Sequence, residues 1–133
     1  MCIRDSLNNE YTKKFVTAYR QKYGQPPENQ AWGDYTSIKA LAQAIKMAGT
    51  TESKKVIEAL EKIKFDGGKG RELYYRTYDH QLMQPMYVVD IKKTGNKDKY
   101  DIFNVVAEVP GKDESLEVIA PTKEENPCNM KRG

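Results

Sequence analysis

The sequence contains few of the residues that carry most enzyme and metal chemistry. Its 133 residues include one histidine, two cysteines and one tryptophan. A zinc site needs three or four converging ligands, usually histidine or cysteine. The chain also lacks the G-x-S-x-G motif that holds the nucleophile of many serine hydrolases. We therefore expect neither a metal site nor catalytic residues.

An excess of one charge and a long apolar run are also missing. The chain has 22 Lys and Arg against 19 Asp and Glu, which gives a formal net charge of +3. Because the two signs are interspersed, the sequence predicts no broad positive field of the kind that attracts nucleic acid. No run approaches the roughly 20 apolar residues of a membrane span. We expect no nucleic-acid partner and no direct insertion into a membrane.

The first residues, MCIRDS (1–6), do not contain the apolar core of a signal peptide. They look like a translated sequencing-adaptor remnant, which predicts a non-native leader and a missing N-terminal part. A short native start is the alternative. If the leader is foreign, Cys2 is an artefact and Cys128 is left alone. A lone cysteine in an exported protein suggests a disulfide partner outside the fragment, whereas an inert free thiol is the other interpretation.

Three stretches have the apolar periodicity of amphipathic helices. The predicted ranges are 8–24, 34–48 and 52–64. Asn8 or Asn9 is expected to cap the first helix, and Gly24 is expected to end it in a left-handed conformation. The apolar stripe of this helix is mostly aromatic, so we expect its tyrosines to pack in the core. The stripe residues are Tyr11, Phe15, Ala18, Tyr19 and Tyr23.

The second predicted helix has the clearest apolar face. Asp34 is a plausible N-cap for it, and Gly49 is a plausible stop. Thr51 is the expected cap of the third helix. The residues predicted to bury the second helix are Tyr35, Ile38, Leu41, Ala42, Ile45 and Ala48.

After these helices the pattern becomes β-prone. FDGGKG (65–70) is a cluster of turn residues, and it lacks the strand–loop–helix order and spacing of a phosphate-binding loop. The segment 111–133 is charged and contains proline, which predicts an extended tail. Three helices followed by two or three strands indicate an α/β fold that is incomplete as an independent domain. The predicted strands are 71–78, 86–93 and 100–109.

His80 follows Asp79 directly after the predicted strand 71–78, and we treat the pair as a continuation of that strand. Neighbouring side chains on a strand point to opposite faces, so Asp79 would not orient His80 as a general base. We therefore expect a structural or surface histidine. The competing hypothesis, a small enzyme that uses His80, requires that activity be lost in a His80→Ala variant.

Trp32 precedes the start of the second predicted helix. An aromatic side chain at such a junction can line a pocket, and the free N–H groups of the first turn favour a carboxylate. A tryptophan that plugs the edge of the core is the alternative, and the residues alone leave both open.

Several motifs, taken in order, resemble the C-terminal third of a type I periplasmic binding protein. They are AYRQKYG (18–24), KALAQAIKMAGT (39–50), VIEALEKIKFDG (56–67) and R-x-Y-D-H-Q (76–81). The resemblance covers roughly residues 10–93, and it is strongest to the leucine-binding-like, substrate-binding proteins of branched-chain amino-acid ABC transporters. It implies a bilobed receptor whose ligand lies in the cleft between the lobes. The three helices of this chain would cover the sheet of one lobe.

This resemblance also implies a function. The full protein would be a periplasmic or extracytoplasmic monomer that delivers an amino acid or a related small solute to a membrane permease. It would have no catalytic residue and no cofactor. A sensory domain of the same fold, coupled to signalling rather than transport, is the alternative. In this scheme residues 7–110 form the C-terminal part of the binding domain.

The resemblance points to a small set of site residues. The segment before the alanine-rich helix reaches the cleft in relatives and maps onto Gln30, Ala31 and Trp32, of which Gln30 and Trp32 are carried over as ligand-binding residues. The run Asp79, His80 and Gln81 would lie on the hinge side as structural residues. Some relatives carry a cysteine where this chain has Tyr78, so that position offers no partner for Cys128.

Overall fold

The computed structural model describes residue 7 and residues 9–127. The predicted leader 1–6 and Cys128 lie outside these residues. Three α-helices are followed by five short strands and a 3-10 helix. In chain order the elements are α1 (Glu10–Tyr23), α2 (Asn29–Ala48), α3 (Ser53–Leu60), β1 (Lys64–Asp66), β2 (Glu72–Tyr75), β3 (Leu82–Met83), β4 (Met86–Ile91), β5 (Phe103–Val109) and the 3-10 helix Leu116–Ile119.

Local capping fixes both ends of α1 as predicted. The side chain of Asn9 accepts a hydrogen bond from the backbone N–H of Thr12 at 2.9 Å. Gly24 ends the helix with a φ of 72°, in the left-handed region that glycine adopts without steric cost. Gly49 ends α2 in the same way, with a φ of 66°.

The starts of α2 and α3 differ from the prediction. The helix α2 begins at Asn29, directly after the N-cap Glu28, so Asp34 lies inside it and is not its cap. Burial of Trp32 in the first turns explains the earlier start, because it anchors this part of the chain against the core. Glu52, rather than Thr51, stands at the N-cap of α3.

The buried face of α2 agrees with the predicted one only in part, since Ile45 and Ala48 of the predicted stripe pack half-buried against the core. Its small residues face inward, where Ala44 packs with Val56 and Ala59 of α3. Four members of the predicted stripe are exposed instead: Tyr35, Ile38 at 65%, Leu41 at 39% and Ala42. Within the described residues α3 packs on the side of α2 that carries Ala44. This packing explains why the rest of the predicted stripe is exposed. The buried residues of α2 are Trp32, Thr36, Ala40 and Ala44.

The predicted burial of the tyrosine stripe on α1 is also wrong within the described residues. The buried residues of this helix are Thr12 and Val16. Tyr11, Phe15 and Tyr19 are half-buried, and Tyr23 at the end of the stripe is 55% exposed. Periodicity identified the helix correctly but not the face that the core covers.

Two small antiparallel sheets follow the helices, in agreement with the predicted order of helices and then strands. In the first, β2 pairs with both β1 and β3, and Phe65 lies opposite Leu73. In the second, β4 pairs with β5, with a register shift between Val88 and Val89. The predicted strands were longer than the observed ones, and β1 and β3 were missed because they have only three and two residues.

The segment predicted as an extended tail packs back onto the first sheet. It forms the 3-10 helix, and its Leu116 is buried. The guanidinium of Arg71 donates from Nη1 to the carbonyl of Gly111 at 2.9 Å and also to the carbonyl of Pro110. The division into a binding domain and a separate tail stays a prediction.

Arg76 makes the second attachment of this segment. The residue is 5% exposed, and its Nη1 donates to the carbonyl of Pro121 at 2.9 Å. Its Nε donates to Oδ1 of Asp79 at 3.1 Å, and Nη2 binds the other oxygen of the same carboxylate. Glu117 lies 3.4 Å from Nη1, and the ring of Tyr78 stacks on the guanidinium at 4.5 Å. The buried cation is thus compensated on all sides.

The carboxylate of Asp79 is held by donors besides Arg76. It accepts from the N–H of Gln81 at 3.0 Å and from the amide of Asn126 at 2.9 Å. Burial alone would raise the pKa of Asp79, but the hydrogen bonds from Arg76 and these donors outweigh burial and lower it. The same contact raises the pKa of Arg76. Burial and a hydrogen bond to Glu117 raise the pKa of Tyr74 to about 12.

We expect acid to loosen the attachment of the tail through Asp79. A carboxyl whose pKa is depressed in the folded state contributes stability above its unfolded value, near 3.9, and loses it as the pH falls through the folded value. An Asp79→Asn variant should therefore have a free energy of unfolding lower by roughly 3 kcal/mol at about pH 6. The difference between the two proteins should shrink towards pH 2, as measured by urea unfolding. A difference that is independent of pH would contradict this role.

Candidate ligand-binding site

Trp32 is both a core residue and a pocket wall. It lies within α2, not before it, and its side chain is largely buried. Its indole Nε1 donates to the carbonyl of Gly67 at 2.7 Å. The same residue lines a cavity on another side. The two interpretations of this tryptophan are therefore compatible.

Glycine at position 67 makes this contact possible. A Cβ atom there would lie 2.4 Å from Cδ1 of Leu73 and 3.2 Å from the ring of Trp32. Position 68 is similar, since Gly68 has a φ of 76° and lies against the ring of Tyr11. The turn cluster between β1 and β2 thus lets the backbone approach two side chains closely.

The cavity beside Trp32 has a volume of about 280 Å³. It is bounded by Leu7 ahead of α1, by α2, by the loop between β1 and β2, and by the chain around β4, so four separate segments build it. Its walls combine aromatic, apolar and polar groups. The lining residues are Leu7, Asn29, Trp32, Gly33, Lys69, Gln84, Met86 and Tyr87.

Lys69 brings a positive charge to this cavity. Its Nζ lies 5.0 Å from the ring centroid of Trp32 and 5.4 Å from that of Tyr87, at cation–π distances. The ammonium also donates to the carbonyl of Pro85 at 3.2 Å. The hydroxyl of Tyr87 donates to the backbone carbonyl of Lys69 at 2.9 Å, which fixes the loop to β4. The charge is held in place before any ligand arrives.

Two further groups give the cavity polarity. Oε1 of Gln84 is buried and has no hydrogen-bond partner among the described residues. The helix α2 begins beside the cavity at Asn29, and its N-cap Glu28 makes no side-chain capping bond. The first-turn N–H groups and Lys69 favour an anionic group, whereas Gln84 can accept from a donor.

The two predicted ligand-binding residues lie in different surroundings. Trp32 lines the cavity, but Gln30 is exposed on α2 and is not among its lining residues. Their binding roles stay predictions. Lys69, Gln84 and Tyr87 were missed because they come from a loop and a strand far along the chain. The lysine lies within the DGGKG turn, the one sequence signal that drew attention to this region.

The segment Asp79–Gln81 forms a turn between β2 and β3, so its assignment to a strand is wrong. Asp79 faces Arg76, whereas Nε2 of His80 lies 2.9 Å from Oε1 of Glu61. His80 has a φ of 55°, an uncommon conformation for a residue with a side chain. The described residues include no group of three or more His, Cys, Asp or Glu able to hold a metal. The hinge role of this turn stays a prediction.

Helices in the described range are too short or too polar to cross a membrane.

Comparison with protein families gives a match that covers most of the chain. The family model described as "Periplasmic binding protein" matches residues 3–96. It includes all three helices, the first sheet and the strand that borders the cavity.

Solved structures of similar proteins agree with this match. A periplasmic binding protein from Burkholderia mallei has 30% identity and a TM-score of 0.78 over 91% of this chain. An ABC-type branched-chain amino acid transporter from Rhodopseudomonas palustris has 28% identity and a TM-score of 0.67 over 79%. A branched chain amino acid ABC transporter periplasmic ligand-binding protein from Burkholderia xenovorans has 30% identity and a TM-score of 0.69 over 75%. The chain spans 31%, 28% and 27% of their lengths, respectively.

Substitution of Gly67 should test the contact that positions Trp32. A Gly67→Ala variant is expected to be less stable by about 2 kcal/mol, because the new methyl group overlaps Leu73. Gly33→Ala is the matched control, since that position is helical and open. The control should be stabilised by about 0.5–1 kcal/mol. Both are measured by chemical unfolding, and equal stabilities would refute the close packing.

Proposed function

We propose that this chain, which belongs to the periplasmic binding protein family, forms part of an extracytoplasmic solute-binding component of an ABC importer. Members of this family are binding proteins and not enzymes. Because the chain spans less than a third of the solved relatives, the activity of the whole protein belongs to the proposal. Its ligand is a branched-chain amino acid or a related small solute.

The cavity beside Trp32 carries this proposal. A carboxylate fits the ammonium of Lys69 and the nearby start of α2. An amino or amide donor fits Oε1 of Gln84, which lacks a partner among the described residues. An apolar side chain fits against Trp32 and Met86. An amino-acid-like solute combines these three groups in one small molecule.

The size of the cavity agrees with a small ligand. Its volume of about 280 Å³ lies just below the range of about 300–1,000 Å³ that is usual for small-molecule sites. In the proposed receptor the second lobe supplies the remaining contacts when it closes over the ligand. The turn that contains Asp79, His80 and Gln81 lies on the hinge side, and the closed form is recognised by a membrane permease in the periplasm.

Replacement of Lys69 should test the carboxylate contact. In the full-length protein we expect Lys69→Met to weaken leucine binding by about 30-fold, or ~2 kcal/mol, because a buried carboxylate loses its charged partner. Binding of leucinamide, which has no carboxylate, should change much less. Isothermal titration calorimetry measures both, with isoleucine, valine and small aromatic acids as further ligands.

Lys64→Met is the matched control for this experiment. Lys64 is exposed on β1 and does not line the cavity, so its replacement should leave affinity unchanged. An equal loss in the two variants would remove Lys69 from the site. The absence of binding for every ligand tested would overturn the proposed function itself.

Fluorescence should test the position of Trp32 independently. Subtracting the emission of a Trp32→Phe variant from that of the full-length protein isolates the signal of this indole. Ligand entering the cavity should shift that difference spectrum, because the ring borders the site. A ligand that binds by calorimetry and leaves the difference spectrum unchanged would exclude Trp32 from the site.

A further inference from the structure

A second concave surface lies between α1 and α2, away from the residues of the solute site. We call it the aromatic groove and define it by the rings of Tyr11, Phe15, Tyr19, Tyr23 and Tyr35. It has a volume of about 800 Å³. None of these residues lines the cavity beside Trp32. The groove therefore needs its own explanation.

The rings form a continuous aromatic surface. Phe15 of α1 stacks on Tyr35 of α2 with 4.8 Å between ring centroids, which links the two helices. Tyr19 packs on Tyr23 at 4.4 Å. Two members remain substantially exposed, Tyr23 at 55% and Tyr35 at 43%. Contiguous exposed aromatic surface of this kind marks an interaction site more often than isolated surface residues do.

The charged residues of the groove all have the same sign. Those that line it among the described residues are Lys14, Lys22 and Lys39, of which Lys14 forms an ion pair at 3.8 Å with Glu10 of the same helix. Lys22 lies 5.3 Å from the ring of Tyr23, and Lys39 lies 4.8 Å from the ring of Tyr11. Burial alone lowers the pKa of Lys39, but its contact with the Tyr11 hydroxyl and the nearby Tyr35 raise it, so the ammonium stays charged at neutral pH.

We propose that the aromatic groove is a docking surface for an acidic segment of a partner protein. Carboxylates of that segment pair with Lys22 and Lys39, and its apolar side chains lie on the rings. The exposure of Tyr23 and Tyr35 favours a polypeptide that lies across the surface over a small molecule, since small-molecule sites enclose most of their ligand. Tyrosine is enriched at such interfaces and contributes many of their strongest contacts. Complementary charge provides selectivity.

The test measures binding of a labelled peptide to the full-length protein by fluorescence anisotropy. The probe is a short peptide in which glutamate alternates with leucine and tyrosine. It should bind, and its affinity should fall as salt is raised, because the lysines lie at the surface. A Lys22→Glu and Lys39→Glu double variant should lose at least about tenfold in affinity.

A second double variant controls for total charge. Lys13→Glu with Lys54→Glu makes the same change at exposed positions outside the groove, and it should retain the affinity. An equal loss in both variants would overturn the proposal. So would equal binding of a matching basic peptide, or tighter binding of a single-stranded oligonucleotide, which would assign the groove to nucleic acid.

Chemical acetylation of the wild-type protein gives a readout that does not depend on the folding of a variant. The acidic peptide should protect Lys22 and Lys39 from acetylation and should leave Lys13 reactive. If Lys22 and Lys39 are unreactive before the peptide is added, the groove is covered by the rest of the protein's own chain. That result, or an absence of protection, would also overturn the proposal.

Discussion

The buried guanidinium of Arg76 determines how the chain is arranged after the helices. A cation that is 5% exposed must be compensated, and here the compensation comes from Asp79 in the adjacent turn and from the carbonyl of Pro121. The first contact fixes the turn between β2 and β3, including the left-handed His80. The second brings the C-terminal segment against the first sheet. One side chain thus joins a local turn to a segment more than forty residues away, since Pro121 is 45 positions along the chain.

Features that depend on nearby residues could be predicted from the sequence. Asn9, Gly24 and Gly49 act within one turn of their helix ends, so residue type and position were sufficient. The buried faces could not be predicted in this way, because a face is defined by whatever packs on it. Ile38 and Leu41 have the right spacing for a core stripe, but the described residues place α3 against the alanine side of α2 instead.

The solute site shows the same limit. A single tryptophan beside a helix start was enough to suggest a pocket there, and Trp32 does line one. Lys69 and Gln84 could not be predicted, because they line the cavity only once the β1–β2 loop and the chain before β4 pack against α2. Long-range contacts such as the hydrogen bond from Trp32 to the carbonyl of Gly67 hold the loop against α2. The motifs could identify the family because their order along the chain can be read from the sequence. The residues of the site could not be identified in this way, because only the fold brings them together.

The arginine contacts have a consequence for how this sequence can diverge. Arg71 binds the main-chain oxygens of Pro110, Gly111 and Glu114, and Arg76 binds that of Pro121. A carbonyl oxygen is supplied by any residue, so substitutions along much of this segment leave these bonds intact. The constraint falls instead on the two arginines and on the path of the backbone. Relatives can therefore differ widely in the composition of this segment and still keep it folded against the sheet.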